Sequence, residues 1–141
     1  MVLVARIFMK RSPLKKKSKQ KVSILKRKLW EQFAKFIKTR DGNLCYTCGR
    51  AGTGSGMHCG HFIPKSVGGL TLYFNEDNCH AQCYNCNINL GGNQYLYGEK
   101  LGKEKVDQLY LLKRQTAKWS QEDYLLKIEH YTKLNDTNQT T

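Results

Sequence analysis

Four of the six cysteines stand in two close pairs, Cys45 with Cys48 and Cys83 with Cys86, each pair enclosing two residues and the pairs separated by 34. At that inner spacing a tight turn aims both sulfurs at one ion, and four thiolates meet the tetrahedral demand of a structural zinc. The chain between the pairs must leave the ion and return to it, which constrains the fold more than any propensity. A site filled by four cysteines keeps no open position, so the ion holds structure instead of performing chemistry. In zinc-binding peptides such binding is worth roughly 10–16 kcal/mol and feeds into folding. Cys59 and Cys79 are left over and read as buried free thiols.

A disulfide framework is the weaker alternative, because nothing reads as a secretion signal. The apolar start "MVLVARIFM" is broken by Arg6, is too short to span a bilayer and lacks a small-residue cleavage site. A protein of the cytoplasm, neither secreted nor membrane-bound, is the expectation.

The charge is as unevenly placed as the cysteines. Residues 1–40 hold 14 Lys/Arg against the single acid Glu31, and residues 41–141 hold 10 of each sign, so the whole net charge of +13 lies in the first 40 residues. Such an arm suits a polyanion, since each neutralised phosphate releases counterions. With about six cations on phosphates, log K falls with log[salt] at a slope of roughly −5. Lys15, Lys16, Lys17, Lys19 and Lys21 in the arm, then Lys26, Arg27 and Lys28, are the candidate DNA contacts, with Lys65 further on. A solvated tail, or one that touches anionic lipid, is the alternative.

The 141 residues suffice for one modest domain. Residues 1–22 read as a flexible basic arm, broken by Pro13. Leu25, Leu29, Phe33, Phe36 and Ile37, with Trp30 widening the stripe, predict a basic amphipathic helix over 23–40 that stops at "DGN". A zinc-held core is expected over 41–99. Within it, 57–63 and 70–74 read as strands joined by the turn-forming "PKSVGG", and 81–90 as a short helix ending at Gly91-Gly92. Helices are expected over 100–135, the last begun by Ser120 and Asp123, and a disordered tail over 136–141. The late helices read as packing or dimerisation elements. The fold class is α+β.

Inside the cysteine clamp lie His58, His61, Asn78 and His80, with Asn87 just beyond. Read as "GHFIP…GG…NEDN-x-H-x-x-C-x-x-C-N", the segment resembles the HNH, or ββα-metal, nucleases. That resemblance implies a zinc-clamped ββα core flanked by helices. It also implies a histidine at the end of the first strand (His61), an asparagine bracing the loop (Asn78) and a terminal metal-side residue (Asn87). "CYTCG", "GHF", "LYFNEDNCHAQCYNCN" and "GGN" further resemble the NinG recombination proteins of lambdoid phages, and more distantly the endonuclease VII type of junction-resolving enzyme. The motifs span residues 45–97, with looser similarity on either side. One departure stands out. Many HNH sites carry an acid directly before the histidine; here it is Gly60, and an acid expected three residues before is His58.

The resemblance implies an endonuclease of phage recombination, working in the infected host on branched DNA such as Holliday junctions or D-loops. A neutral His61 takes the proton of the attacking water. A divalent cation, Mg²⁺ or Mn²⁺, held near Asn87 with His80 and His58 as candidate ligands, stabilises the scissile oxygens as a Lewis acid. A histidine-rich ligand set tilts the choice toward Mn²⁺. Alternatives stay open: His61 as a core histidine or extra zinc ligand, His80 in place of one zinc cysteine, and Lys65 as an exposed loop lysine. At the level of function the alternatives are an HNH nuclease without branch preference and a non-catalytic zinc module that binds nucleic acid. Junctions are two-fold objects, so a homodimer is also expected.

Overall fold

The computed structural model describes residues 21–52 and 56–138. Lys15, Lys16, Lys17 and Lys19 of the basic arm lie outside the described residues. Chain order is α1 (Val22–Arg40), β1 (Met57–His61), α2 (Lys65–Tyr73), β2 (Cys79–Cys83), a π-helical turn (Asn85–Asn89), α3 (Gln94–Leu101), α4 (Lys103–Lys113) and α5 (Gln121–Thr137). The α+β class holds, with one two-stranded antiparallel sheet among the described residues.

α1 forms as its stripe predicts: Leu25, Leu29, Phe33 and Ile37 fall on one face and are buried. That face packs with Tyr124 and Tyr131 of α5 and with Cys59, Phe74 and Cys79. Phe33 meets Tyr131 edge-on at 5.1 Å, an arrangement the ring quadrupoles favour. α5 begins where Ser120 and Asp123 place it. The Asp123 N–H donates to Ser120 Oγ, and the Ser120 N–H donates to the Asp123 carboxylate, a reciprocal cap.

The sheet is tied down at the outer edge of β2. Arg40 donates to the Cys79 carbonyl at 2.8 Å, Asp41 accepts from the Ala81 N–H at 2.8 Å, and the Tyr46 N–H donates to the Ala81 carbonyl at 2.7 Å. The end of α1 and the first cysteine turn thus satisfy backbone groups that a bare edge would expose.

Three expectations from pattern give way. Residues 70–74 are not a strand; β2 is Cys79–Cys83, and 70–73 form the second half of α2. Pro64 opens that helix, Gly69 at φ +63 breaks it into two turns, and Leu72 drops into a core with Phe62, Ile63, Tyr97 and Leu109. Alternation over five residues fits a strand and a pair of helical turns equally, and packing chose the second. The helix expected over 81–90 shrinks to the π-helical turn, because the ladder with β1 claims everything through Cys83. It does stop at Gly91 and Gly92, both at positive φ. At the far end α5 continues through Thr137, so 136 and 137 are helical instead of tail. Asn135 holds this last turn by donating to the carbonyl and side chain of Gln32 on α1. α3, which spans the expected 99/100 boundary, is an addition.

Candidate functional site

The two cysteine pairs meet. The Sγ atoms of Cys45, Cys48, Cys83 and Cys86 all lie within 4.8 Å of one another, and Cys48 and Cys83 stand 3.8 Å apart. Four sulfurs arranged tetrahedrally about 2.3 Å from one zinc would be roughly 3.8 Å apart, so the donor set fits the ion. The first pair sits in a turn closed by Gly49 N–H to the Cys45 carbonyl and Cys45 N–H to the Arg50 carbonyl, with Gly49 at φ +75. The second pair straddles the end of β2. Burial raises the Cys45 thiol, but donors from the backbone at Cys48 and from Thr47 outweigh it and bring the thiol down to about 6. On Cys48 the Arg50 N–H lowers the thiol, while burial and the neighbouring sulfurs prevail and push it up to about 12. A cation among the sulfurs would favour the thiolate forms of both.

The sulfurs carry outer partners. Asn93 Nδ2 lies 3.6 Å from Cys86 Sγ, and the Cys86 N–H points at Cys83 Sγ. Thr47 Oγ1 lies 3.3 Å from Cys45 Sγ and accepts from Gln82 Nε2, which also donates to the Gly92 carbonyl at 2.8 Å. "GGN" at 91–93 is therefore a helix stop that is also tied to the four-cysteine cluster, through Asn93 and through Gln82.

His61, the last residue of β1, is buried at 8% exposure, with its ring stacked on Trp30 at 5.5 Å. Its Nε2 lies 2.9 Å from the Tyr73 carbonyl. A carbonyl only accepts, so the neutral ring carries its proton on Nε2 and leaves Nδ1 as a base. Burial lowers its pKa to about 4; the Tyr73 carbonyl works against that shift and the Lys65 charge adds to it. Asn78, fully buried, braces the loop as expected: its Oδ1 accepts from the Ile63 N–H at 2.8 Å, and its Nδ2 donates to the Ile63 and Leu72 carbonyls at 3.0 Å.

His61 and Asn87 line one open cavity of about 280 Å³, together with Lys65, Gly91, Gly92 and Gln94. His58 is not in that lining: it opposes Gln82, on the ladder face away from His61, and reaches the group through Asn87, whose Nδ2 lies 3.0 Å from His58 Nδ1. His80 does not join them. Opposed residues of a ladder share a face, and His61 opposes Cys79, so His80 turns to the other side. There it stacks on Tyr46 at 3.8 Å, and its Nδ1 lies 3.1 Å from Tyr97 Oη. This corrects its assignment as a ligand of the second cation.

The missing acid at position 60 has a physical reason. A Cβ on Gly60 would overlap the Gln82 carboxamide, with Cδ only 2.8 Å away. No carboxylate lines the cavity among the described residues. What is present for a divalent ion is the carboxamide of Asn87 beside His58 Nδ1. With the amide turned over, oxygen and nitrogen acceptors face one point, a mixed donor set that suits Mn²⁺ better than Mg²⁺.

Of the candidate DNA contacts, Arg27 and Lys28 are exposed on the first half of α1, and Lys21, exposed as well, immediately precedes it. Arg27 lies 4.0 Å from Glu31. Lys26 sits over the Tyr73 ring at 4.2 Å, and Lys65 over Trp30 at 4.7 Å. Pattern reading took Trp30 for core and Tyr73 for the outer side of a strand. It missed that both surround His61, because Tyr73, which meets the imidazole edge-on at 5.6 Å as well as through its carbonyl, comes from a helix where pattern expected a strand.

Fold and cysteine centre define a small α+β domain of the kind a four-thiolate ion holds together. The chain belongs to the family of the bacteriophage lambda NinG protein, whose model matches residues 7–139. It is 32% identical over 128 residues to protein ninG of Escherichia phage lambda and 30% identical over 127 residues to protein ninG of Salmonella phage P22. Each match covers 83% of this chain, which spans 61% and 62% of those relatives' lengths. No solved structure matches the chain.

Proposed function

We propose that this chain is a metal-dependent DNA endonuclease of phage recombination, built on an HNH-like core, that hydrolyses phosphodiesters in branched DNA. The observation that carries the proposal is the shared cavity of His61 and Asn87, into which Lys65 also reaches. Nδ1 of His61 takes the proton of the attacking water, and the Tyr73 carbonyl holds the ring in that tautomer. Lys65 meets the phosphate. Asn87 and His58 would hold the divalent ion, which when bound supplies charge for the scissile oxygens. Asn78 positions rather than reacts. The basic arm and α1 supply affinity, and branched DNA as substrate and an action inside the infected host are what the motif resemblance suggests for this chain.

The test is nicking of supercoiled plasmid and cutting of a four-way junction in Mg²⁺ or Mn²⁺. Wild type cuts, and His61→Ala loses about 10²- to 10⁴-fold, the usual contribution of a general base. Full cleavage by His61→Ala overturns the proposal. Equal rates on junction and linear duplex would remove only the branch preference. A second reading, a non-catalytic zinc module that binds nucleic acid, is favoured by the absence, among the described residues, of a carboxylate from the cavity lining and predicts no cutting with either ion. If two copies act on the two-fold substrate, Leu125 and Leu126 of α5 and Leu111 of α4, each more than half exposed, are the surface to join them.

A further inference from the structure

Beside the cavity, the first half of α1 and the end of α2 enclose a groove of about 360 Å³ lined by Ser23, Lys26, Arg27, Trp30 and Tyr73. We propose that this groove is a nucleotide subsite, in which Tyr73 and the edge of Trp30 stack an unpaired base while Lys26 and Lys65 hold its flanking phosphates. The proposal rests on the nuclease reading only for where the strand goes next.

Three observations meet here. The first is continuity: Trp30 stacks on His61, and Lys65 both covers Trp30 and lines the His61 cavity. A strand lying in the groove therefore leads toward the cavity that His61 lines. The second is charge. Among the described residues neither Lys26 nor Lys65 is in an ion pair, and Arg27 lies 4.0 Å from Glu31. The third is the pairing of cation with ring. Both ammonium groups rest on aromatic faces, Lys26 on Tyr73 at 4.2 Å and Lys65 on Trp30 at 4.7 Å. An exposed cation–π contact is weaker than a base stacked on an aromatic ring, and an ammonium is better placed on a phosphate. An arriving nucleotide thus displaces each lysine from a ring face and gains it as a phosphate partner. Stacking of this kind accepts any base but needs one that is out of a duplex, so the groove prefers gaps, flaps and junction centres over paired DNA.

The experiment measures binding of full-length protein to a fluorescein-labelled duplex with a short thymidine gap and to a fully paired duplex, without added divalent ion. Tyr73→Leu should weaken gapped DNA about tenfold and paired duplex by less than about twofold, while Tyr73→Phe binds as wild type. Lys26→Ala with Lys65→Ala should lower the salt slope on gapped DNA by about 1.5. In a Trp119→Phe background, where Trp30 is the sole tryptophan, oligothymidylate should quench the emission; this holds even if Tyr73→Leu fails to fold. No quenching at saturation overturns the proposal, as does an equal loss on both DNAs or no loss on either. Should wild type bind with this discrimination yet cut nothing, the subsite stands and the nuclease reading falls.

Discussion

His61 combines three constraints in one ring: burial, stacking on Trp30, and a hydrogen bond from Nε2 to the Tyr73 carbonyl. Its pKa lies at about 4, against about 6.5 in an unfolded chain. Above pH 6.5 both states are neutral and the stabilisation is complete. Between 6.5 and 4 the unfolded state binds a proton that the folded state refuses, so stability falls as the pH drops, by up to about 3 kcal/mol. Urea midpoints at pH 7 and pH 5 should therefore differ more for wild type than for His61→Gln. The same low pKa keeps Nδ1 available as a base, so cleavage should persist from pH 7 to about pH 5 instead of falling through 6.5. Asn78 is the other residue on which much turns. Asn78→Ala strands the Ile63 N–H and the carbonyls of Ile63 and Leu72, and should cost about 2–4 kcal/mol in chemical denaturation.

Between elements the close approach of Gln82 to Gly60 does most to shape the site. Gln82 crosses from β2 over Gly60 of β1, reaching the Gly92 carbonyl on one side and Thr47 beside the sulfurs on the other. It thereby joins the first cysteine turn, the sheet and the glycine loop of the cavity, and it excludes any side chain at position 60. Gly60→Ala should destabilise by about 1–3 kcal/mol, and Gln82→Ala in that background should recover part of the loss in thermal melts. Full stability of Gly60→Ala alone would remove this account of the absent acid. The elements that pattern missed share one cause. "CHAQC" has no β-branched or aromatic residue, so β2 is a strand because β1 and the Asp41 and Tyr46 backbone contacts make it one. "LTLYF" has strand composition yet turns helical, because Gly69 and the Leu72 pocket decide.

At the scale of the molecule, two long helices and a sulfur centre enclose a sheet too small to stand alone. One zinc per chain is expected by elemental analysis, and stripping it with a chelator should abolish the cooperative melt, since beyond the sulfurs a few hydrogen bonds and the stacking of Tyr46 on His80 join the first cysteine turn to β2. Deleting residues 1–21 should weaken DNA binding and flatten its salt dependence while leaving zinc content unchanged; an unaltered slope would show that the arm is not the electrostatic grip. Spacing and periodicity were enough to announce the four-cysteine centre, α1 and the cap of α5, while the brace at Asn78 and the candidate pair His61 and Asn87 came from the motif's resemblance to the HNH nucleases. Those features are local, or repeat at a fixed interval, and so are written in residue order. Ladder register, which turns His80 away from His61, and the gathering of Trp30, Tyr73 and Lys65 around that imidazole depend on contacts between distant segments. Alternative registers and packings satisfy the same local pattern, and only the free energy of the assembled core selects among them.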